Sequence, residues 1–209
     1  MPGSRSYNSP TREATAAQTR ERIVDAAGRL FVRDGYAATP MRAIADEAVV
    51  SIQSVHLAGP KSSLLLAAFE RTFAGDEGRH SLLERPEMRA VLAEEDPRQA
   101  LAAYVAYIAA ANRRSAGIWR ALAAAADADE VVRAAALDLD TRRRGDVRTG
   151  VEQLAERGLI GDIDEAADVL GYLTSATTYE YFVRESGWSD ERYEGWLAAS
   201  IARLVLRLP

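Results

Sequence analysis

Few residues of this chain stand at spacings that could do covalent chemistry. The two histidines, His56 and His80, lie far apart, and neither sits beside a carboxylate and a serine in the manner of a triad. Both read as surface residues. With no cysteine in the sequence, a thiolate nucleophile, a thiolate metal site and a disulfide framework are all excluded. Asp127, Asp129, Glu130, Asp138 and Asp140 lack the glycine and spacing of a calcium loop and read as helix caps and solvated faces, and no glycine-rich phosphate loop occurs. Arg142, Arg143 and Arg144 are tempting as an anion site, but three consecutive residues point around a helix, so they read as solvated surface. The expectation is therefore a protein that is not an enzyme and needs no cofactor or metal. Its chemistry would be recognition, and Lys61, the only lysine, stands out among the groups that could serve it.

The elements that must position such groups are helical. Apolar residues recur at helical spacing through almost the whole chain, strand-like alternation is nearly absent, and the expected fold class is all-α. Ile23, Ala26, Ala27, Leu30 and Phe31 form one stripe on a helix from about Ala16 to Asp34, ended by Gly35. Thr39 as N-cap and Pro40 at the first helical position open a short helix to about Ala48, and Ser51 caps a third that runs from Ile52 to Ala58 before Gly59-Pro60. Two short helices joined by a tight turn match a helix-turn-helix. Longer helices follow: about Ser62 to Gly75, Asp96 to Asn112, Ala116 to Ala126, Asp129 to Arg157 with a possible interruption at Gly145, Asp162 or Asp164 to Glu185, and Ser189 to Arg207, with a polar connector from about Gly75 to Arg89. The last two are rich in apolar residues. Val169 and Leu173 on the first, and Trp196, Leu197, Ile201, Leu204 and Leu208 on the second, are the candidate interface of a four-helix dimer, against the alternative that both helices pack only into their own domain.

Across its 209 residues the formal net charge is −5. The acidity is unevenly placed: residues 1–61 hold 8 basic against 6 acidic side chains, and residues 62–209 hold 18 against 25. An acidic total thus does not argue against a nucleic-acid partner for the N-terminal part. The longest apolar run, Ala100 to Ala111, is too short to span a membrane. Residues 1–15 form a polar segment that reads as a flexible tail and not a signal peptide, so a cytoplasmic location is expected. The chain divides into that tail, a helix-turn-helix domain at 16–61 and a larger helical domain at 62–209.

Thr19-Arg20-Glu21-Arg22-Ile23-Val24-Asp25-Ala26-Ala27, Leu30-Phe31, Gly35-Tyr36, Thr39, Met41-Arg42-Ile44-Ala45 and Val50-Ser51 together resemble the N-terminal domain of the tetracycline-repressor (TetR) family of transcriptional regulators. The resemblance covers about Gln18 to Leu66 with specific motifs and the remainder by architecture. It implies a homodimer that sets its third helix in the major groove of a palindromic double-stranded DNA operator, and a ligand-binding and dimerisation domain in the C-terminal body. The residues themselves agree with DNA binding. Gln53 could pair with adenine and Ile52 could touch a thymine methyl, with Ser51, Ser54 and His56 on the same short helix. Thr39 and Pro40 begin a helix whose free N–H groups favour a phosphate, Arg42 projects from it, and Lys61 occupies the place of the family's phosphate-contacting lysine.

Two positions depart from the family pattern. Val49 stands where the turn usually carries glycine; either the turn is strained, at a cost on the order of 1–3 kcal/mol, or it is shaped differently. His56 replaces a tyrosine, and the stretch to Lys61 is one residue shorter, with no phenylalanine. Within the C-terminal body, Tyr104, Tyr107, Ile108, Trp119, Leu122, Thr174, Thr177 and Tyr181 combine aromatic walls with hydroxyls and are the candidate pocket for an apolar or aromatic effector. The resulting expectation is a regulator, in the usual case a repressor, released from DNA by a small molecule. The alternative is a carrier or scaffold of the same fold that has lost its operator.

Overall fold

The computed structural model describes residues 10–75 and 81–206. Among these it is helical throughout, with no strand. Helix α1 spans Pro10–Asp34, α2 Met41–Ala48, α3 Ile52–Ala58 and α4 Lys61–Ala74; after the connector come α5 Pro86–Ala93, α6 Pro97–Ala128, α7 Glu130–Glu156, α8 Ile163–Leu173, α9 Ala176–Tyr179 and α10 Asp190–Leu204. A 3-10 turn at Leu82–Glu84 precedes α5, and a π-helical turn at Glu180–Glu185 follows α9. Helix α1 begins earlier than expected, so residues 10–15 of the supposed tail are helical. No helix among the described residues is long and apolar enough to cross a membrane.

Caps locate most of the boundaries. Ser51, Asp96, Asp129, Asp162 and Ser189 each accept a hydrogen bond from a backbone N–H in the first turn of the helix that follows. The start of α2 differs from expectation: Pro40, in extended conformation, takes the N-cap position, and the Thr39 hydroxyl instead donates to the Gly35 carbonyl oxygen at 2.8 Å. The expected break between Asn112 and Ala116 does not occur, and α6 runs unbroken for 32 residues. Gly117 serves close packing there, since a Cβ at that position would lie 2.9 Å from Val32 Cγ1 on α1. Helix α7 likewise passes through Gly145.

The helix expected from Asp162 to Glu185 is broken at Thr174 and Ser175. The Thr174 hydroxyl donates back to the Leu170 carbonyl at 2.7 Å, and Ser175 caps a new turn by accepting from the Thr178 N–H. Local side-chain bonds of this kind compete with the helical ladder and bend it. Helix α5 lies within and beyond the expected polar connector. Its signal was Pro86 at the first helical position with Met88, Val91 and Leu92 on one side.

Two apolar clusters hold the molecule. The first joins α1 (Ile23, Val24, Leu30, Phe31), α2 and α3 (Ile44, Val55) and α4 (Leu64, Leu65, Phe69) to Ile118, Leu122 and Ala125 of α6 and Val132 of α7. The second gathers Val105 and Ala109 of α6, Val151 of α7, Leu170 and Leu173 of α8, Tyr179, and Tyr193, Leu197 and Ile201 of α10. Helix α6 belongs to both. The N-terminal helices therefore share a continuous core with α6 and do not fold around an isolated one.

Candidate functional site

The helix-turn-helix is α2, a tight turn and α3. The Val49 N–H bonds to the Asp46 carbonyl at 3.2 Å and the Val50 N–H to the Ala45 carbonyl at 3.0 Å, the paired bonds of a Schellman termination. This requires a left-handed residue, and Val49 supplies it at φ 54° and ψ 52°, the one non-glycine residue with positive φ among those described. Of the two alternatives open from the sequence, the turn keeps the glycine shape and bears the strain.

Of the expected DNA-facing residues, Pro40, Arg42, Ser51, Gln53 and His56 are exposed. Thr39 is not: it is 1% exposed and its hydroxyl is turned inward, which corrects its assignment as a contact. Ile52 is half-buried against the first core cluster, so only part of its side chain is open to solvent. The exposed apolar side chain of α3 is Leu57, at 82%. Sequence reasoning missed it, although its position four residues after Gln53 places it on the same helix face. The Ser51 hydroxyl is engaged as a cap, accepting from the Ser54 N–H at 3.1 Å and lying 2.9 Å from the Ser54 hydroxyl. Arg42 pairs with Asp46 at 3.1 Å on the open surface, and Arg20 donates to the Ala58 carbonyl at the end of α3.

Lys61 stands at the first position of α4. Its Nζ lies 4.4 Å from the centre of the Tyr36 ring and donates to the Ala37 carbonyl at 3.4 Å, which sets the cation beside the segment leading into α2. The Tyr36 hydroxyl in turn donates to Asp129 Oδ2 at 2.9 Å, while the other oxygen of the same carboxylate caps α7 through the Val131 and Val132 N–H groups. Those bonds, the Tyr36 one first, hold the Asp129 carboxyl below its usual range. One aspartate thus ties the start of α7 to the α1–α2 turn and, through Tyr36, to Lys61.

Two adjoining cavities lie in the C-terminal body. A smaller one of about 110 Å³ is walled mainly by apolar residues, including Leu83, Met88, Leu92, Leu101, Ile108, Leu154 and Val205, with Tyr104, Arg143, Asp146, Arg157 and Thr174 as its polar groups. A larger one of about 300 Å³ is lined by Phe69, Phe73, Trp119, Asn112, Glu70, Arg142, Thr177 and others. Phe73, Leu82, Arg143, Asp146 and Thr174 border both. Of the eight expected pocket residues, Tyr104, Ile108, Trp119, Thr174 and Thr177 therefore line a cavity, and Tyr107, Leu122 and Tyr181 line neither. Leu122 lies about 21 Å along α6 from Ile108 at helical rise, inside the other core cluster. Tyr181 is 56% exposed on the π-helical turn. The reading of Arg142 and Arg143 as solvated surface is also corrected, since both border the larger cavity; only Arg144 points fully outward.

Burial raises several phenols of this body and of the joint. Tyr36, Tyr104 and Tyr179 are each pushed up to about 12, first by burial; the Asp129 and Asp190 carboxylates that accept from Tyr36 and Tyr179 raise those two further. Tyr193, fully buried, is pushed up as well. These phenols hold their protons more tightly in the folded than in the unfolded chain, so their contribution to stability is complete below about pH 10 and is lost as pH rises from about 10 to 12. Thermal melts stepped through that window are expected to show a steepening loss of Tm; a flat Tm to pH 12 would contradict it.

The expected interface residues fall into two groups. Leu173, Leu197 and Ile201 are 6%, 0% and 2% exposed within the single chain and belong to its second core cluster, which corrects their assignment to a dimer face. Val169 and Trp196 are half-buried against the same cluster, Leu204 is 57% exposed, and Leu208 lies outside the described residues. Tyr172, at 68% exposure on α8, was not anticipated. No group of three or more His, Cys, Asp or Glu among the described residues is arranged to hold a metal.

A family model described as bacterial regulatory proteins, tetR family, matches residues 23–58, the segment from α1 through α3. Among solved structures, a putative transcriptional regulator from Saccharomonospora viridis in complex with choline is similar at 20% identity and TM-score 0.69, over 92% of this chain and all of that one. MexZ, a key repressor responsible for antibiotic resistance in Pseudomonas aeruginosa, is 23% identical over 90% of this chain and 95% of its own, with TM-score 0.58. The SmeT–triclosan complex is 19% identical over 90% and 92%, with TM-score 0.65. Among curated proteins, none matches this sequence.

Proposed function

We propose that this chain, whose residues 23–58 match the model of the tetR family of bacterial regulatory proteins, is a ligand-responsive transcriptional repressor of that family, binding a palindromic operator as a homodimer and releasing it when a small molecule fills the C-terminal cavities. The observation that carries this reading is the course of α4. That helix begins at Lys61, beside the DNA-facing segment, and contributes Phe69 and Phe73 to the wall of the larger cavity, about 12 and 18 Å away at helical rise. The Phe69 ring also meets Trp119 of α6 at 5.9 Å. A ligand that moves this aromatic wall moves the helix that carries the cation. For release, the ligand must bind the DNA-incompetent arrangement more tightly, by a coupling of about 1–3 kcal/mol in a typical case.

On the DNA, Gln53 reads a base edge and Leu57 offers the apolar contact, while Lys61, Arg42 and the amide groups at the start of α2 meet phosphates. The two α3 helices of a dimer would sit about one DNA turn apart, roughly 34–36 Å. The dimer surface would use what the chain leaves outward, Tyr172 and Leu204 with the half-buried Val169 and Trp196. Relatives that are solved with choline or triclosan support a small-molecule site in this fold.

The test is a gel shift on the intergenic DNA upstream of the protein's own gene. Wild type should prefer that DNA to random sequence and shift it as a complex holding two chains. Gln53→Ala should cost about 1–3 kcal/mol of discrimination and relax preference at one position in each half-site. Lys61→Ala should weaken all DNA alike and flatten the dependence of log affinity on log salt by about one per site. A carrier that has lost its operator would show no sequence preference at moderate salt, and equal specificity in Gln53→Ala would remove the base-reading role.

A further inference from the structure

We propose that the molecule received by the cavities is an amphipathic organic acid, its apolar body in the smaller cavity and its anionic group on Arg143. This rests on the reading above for its regulatory meaning, though not for the binding itself. The smaller cavity is apolar on nearly every side, and its polar groups are unequal in what they have left to offer. Arg157 donates to the Glu94 and Glu95 carbonyls. Asp146 accepts from the Ser81 hydroxyl at 2.7 Å and from the Leu82 N–H at 2.8 Å. Arg143 is different. It borders both cavities, and its one ion pair among the described residues is a 3.7 Å approach to Asp140, a carboxylate that Arg144 already holds at 2.7 Å. A guanidinium carries five N–H donors in a planar fork matched to a carboxylate.

The surrounding acids do not favour a cation instead. Glu70 accepts from Arg142 at 3.1 Å, so the carboxylates lining these cavities, Glu70, Asp140 and Asp146, each have a tighter partner than Arg143 has. Beside Arg143 stand Thr174 and Tyr104, both on the wall of the smaller cavity, and one Arg143 nitrogen lies against the backbone of Gly171, 3.9 Å from where a Cβ would sit. Tyr104 is close enough to Arg143 and Thr174 for both to oppose the rise that burial causes in its phenol. An anion at this junction would meet a guanidinium fork held only by the 3.7 Å approach to Asp140 among the described ion pairs, with a phenol O–H beside it, and its apolar portion would extend between α5, α6 and α7.

The experiment compares three probes of equal chain length and different head group, octanoate, octanol and octyltrimethylammonium, by calorimetric titration of the full chain without DNA. Octanoate is expected to bind at least ten-fold more tightly than the other two. Arg143→Gln should bring octanoate down to the level of octanol and leave octanol unchanged. Arg143→Lys, which keeps the charge and loses the fork, should lose about three- to ten-fold for octanoate alone, and it carries the test if Arg143→Gln does not fold by its melting curve. The proposal is overturned if the cationic probe binds as well as octanoate, if the Arg143 variants retain wild-type octanoate affinity, or if no probe binds at millimolar concentration. Octanoate binding without release of operator DNA in the gel shift would support the ligand class and count against the regulatory reading, which separates the two.

Discussion

Leu122→Ala is expected to lower stability by about 2–5 kcal/mol, the range for truncating a fully buried leucine. Leu122 has no exposed surface, and it lies where α6 meets α1 and α4, within the cluster that joins the helix-turn-helix to the C-terminal body. Leu122 is enclosed by residues of α1, α4 and α6 in that cluster, so a cavity term adds to the lost transfer energy. In a chain of this length each kcal/mol moves Tm by about 2–4 °C, giving a fall of roughly 5–20 °C. Leu137→Ala is the control: 63% exposed on α7, it should stay within about 0.5 kcal/mol of wild type. If Leu122→Ala melts with the control, the continuous core is not what couples the two parts. On the function proposed above the consequence is functional as well, because ligand-driven release needs the cavity-lining and helix-turn-helix elements to move together.

Val49→Gly acts in the opposite sense and should stabilise the protein by up to about 2.5 kcal/mol. A β-branched residue held in the left-handed region stores about 1–3 kcal/mol of strain, and glycine removes it while adding about 0.5–1 kcal/mol of unfolded-state entropy. Little else is lost, since the Val49 side chain is 82% exposed and both bonds of the Schellman turn are made by backbone groups. Val49→Ala should recover less, because a Cβ still meets the carbonyl in that conformation. Equilibrium denaturation reads this as a higher midpoint at constant slope. A midpoint at or below the wild-type value would mean that the valine is not strained. The strain sits at the exposed turn of the helix-turn-helix, and local rules are most often broken at functional sites.

Much of the recognition face was legible in the sequence because its determinants are local. Ser51 as cap, the length of α3 and the exposure of Gln53 and His56 follow from neighbours within four residues. Thr39 was misplaced for a reason that is equally physical: a threonine before Pro40 can cap outward or bond back to Gly35, and only the packing of the α1–α2 turn decides which. The cavities show the same division. Aromatic and hydroxyl residues on α6 and in the segment from Thr174 to Tyr181 announced a pocket, yet a helix of 32 residues crosses two cores, and its periodicity is identical in both. Hence Trp119 and Ile108 line cavities, whereas Leu122, on the same stripe, is core.

By itself the sequence determined the all-α class, the helix-turn-helix and the exposure of Gln53 and His56 on it, though not of Leu57, because caps, periodicity and turn chemistry act over one or two turns of chain. The amphipathic stripe of α10 likewise required that Leu197 and Ile201 be covered, but a stripe states only that water is excluded and not by which surface. Tertiary structure decided that the cover is α6 and α8 of the same chain, that Asp129 reaches Tyr36 across 93 residues, and that Arg143 turns inward while Arg144 turns out. Those outcomes depend on how distant helices are set against one another, which no local pattern encodes.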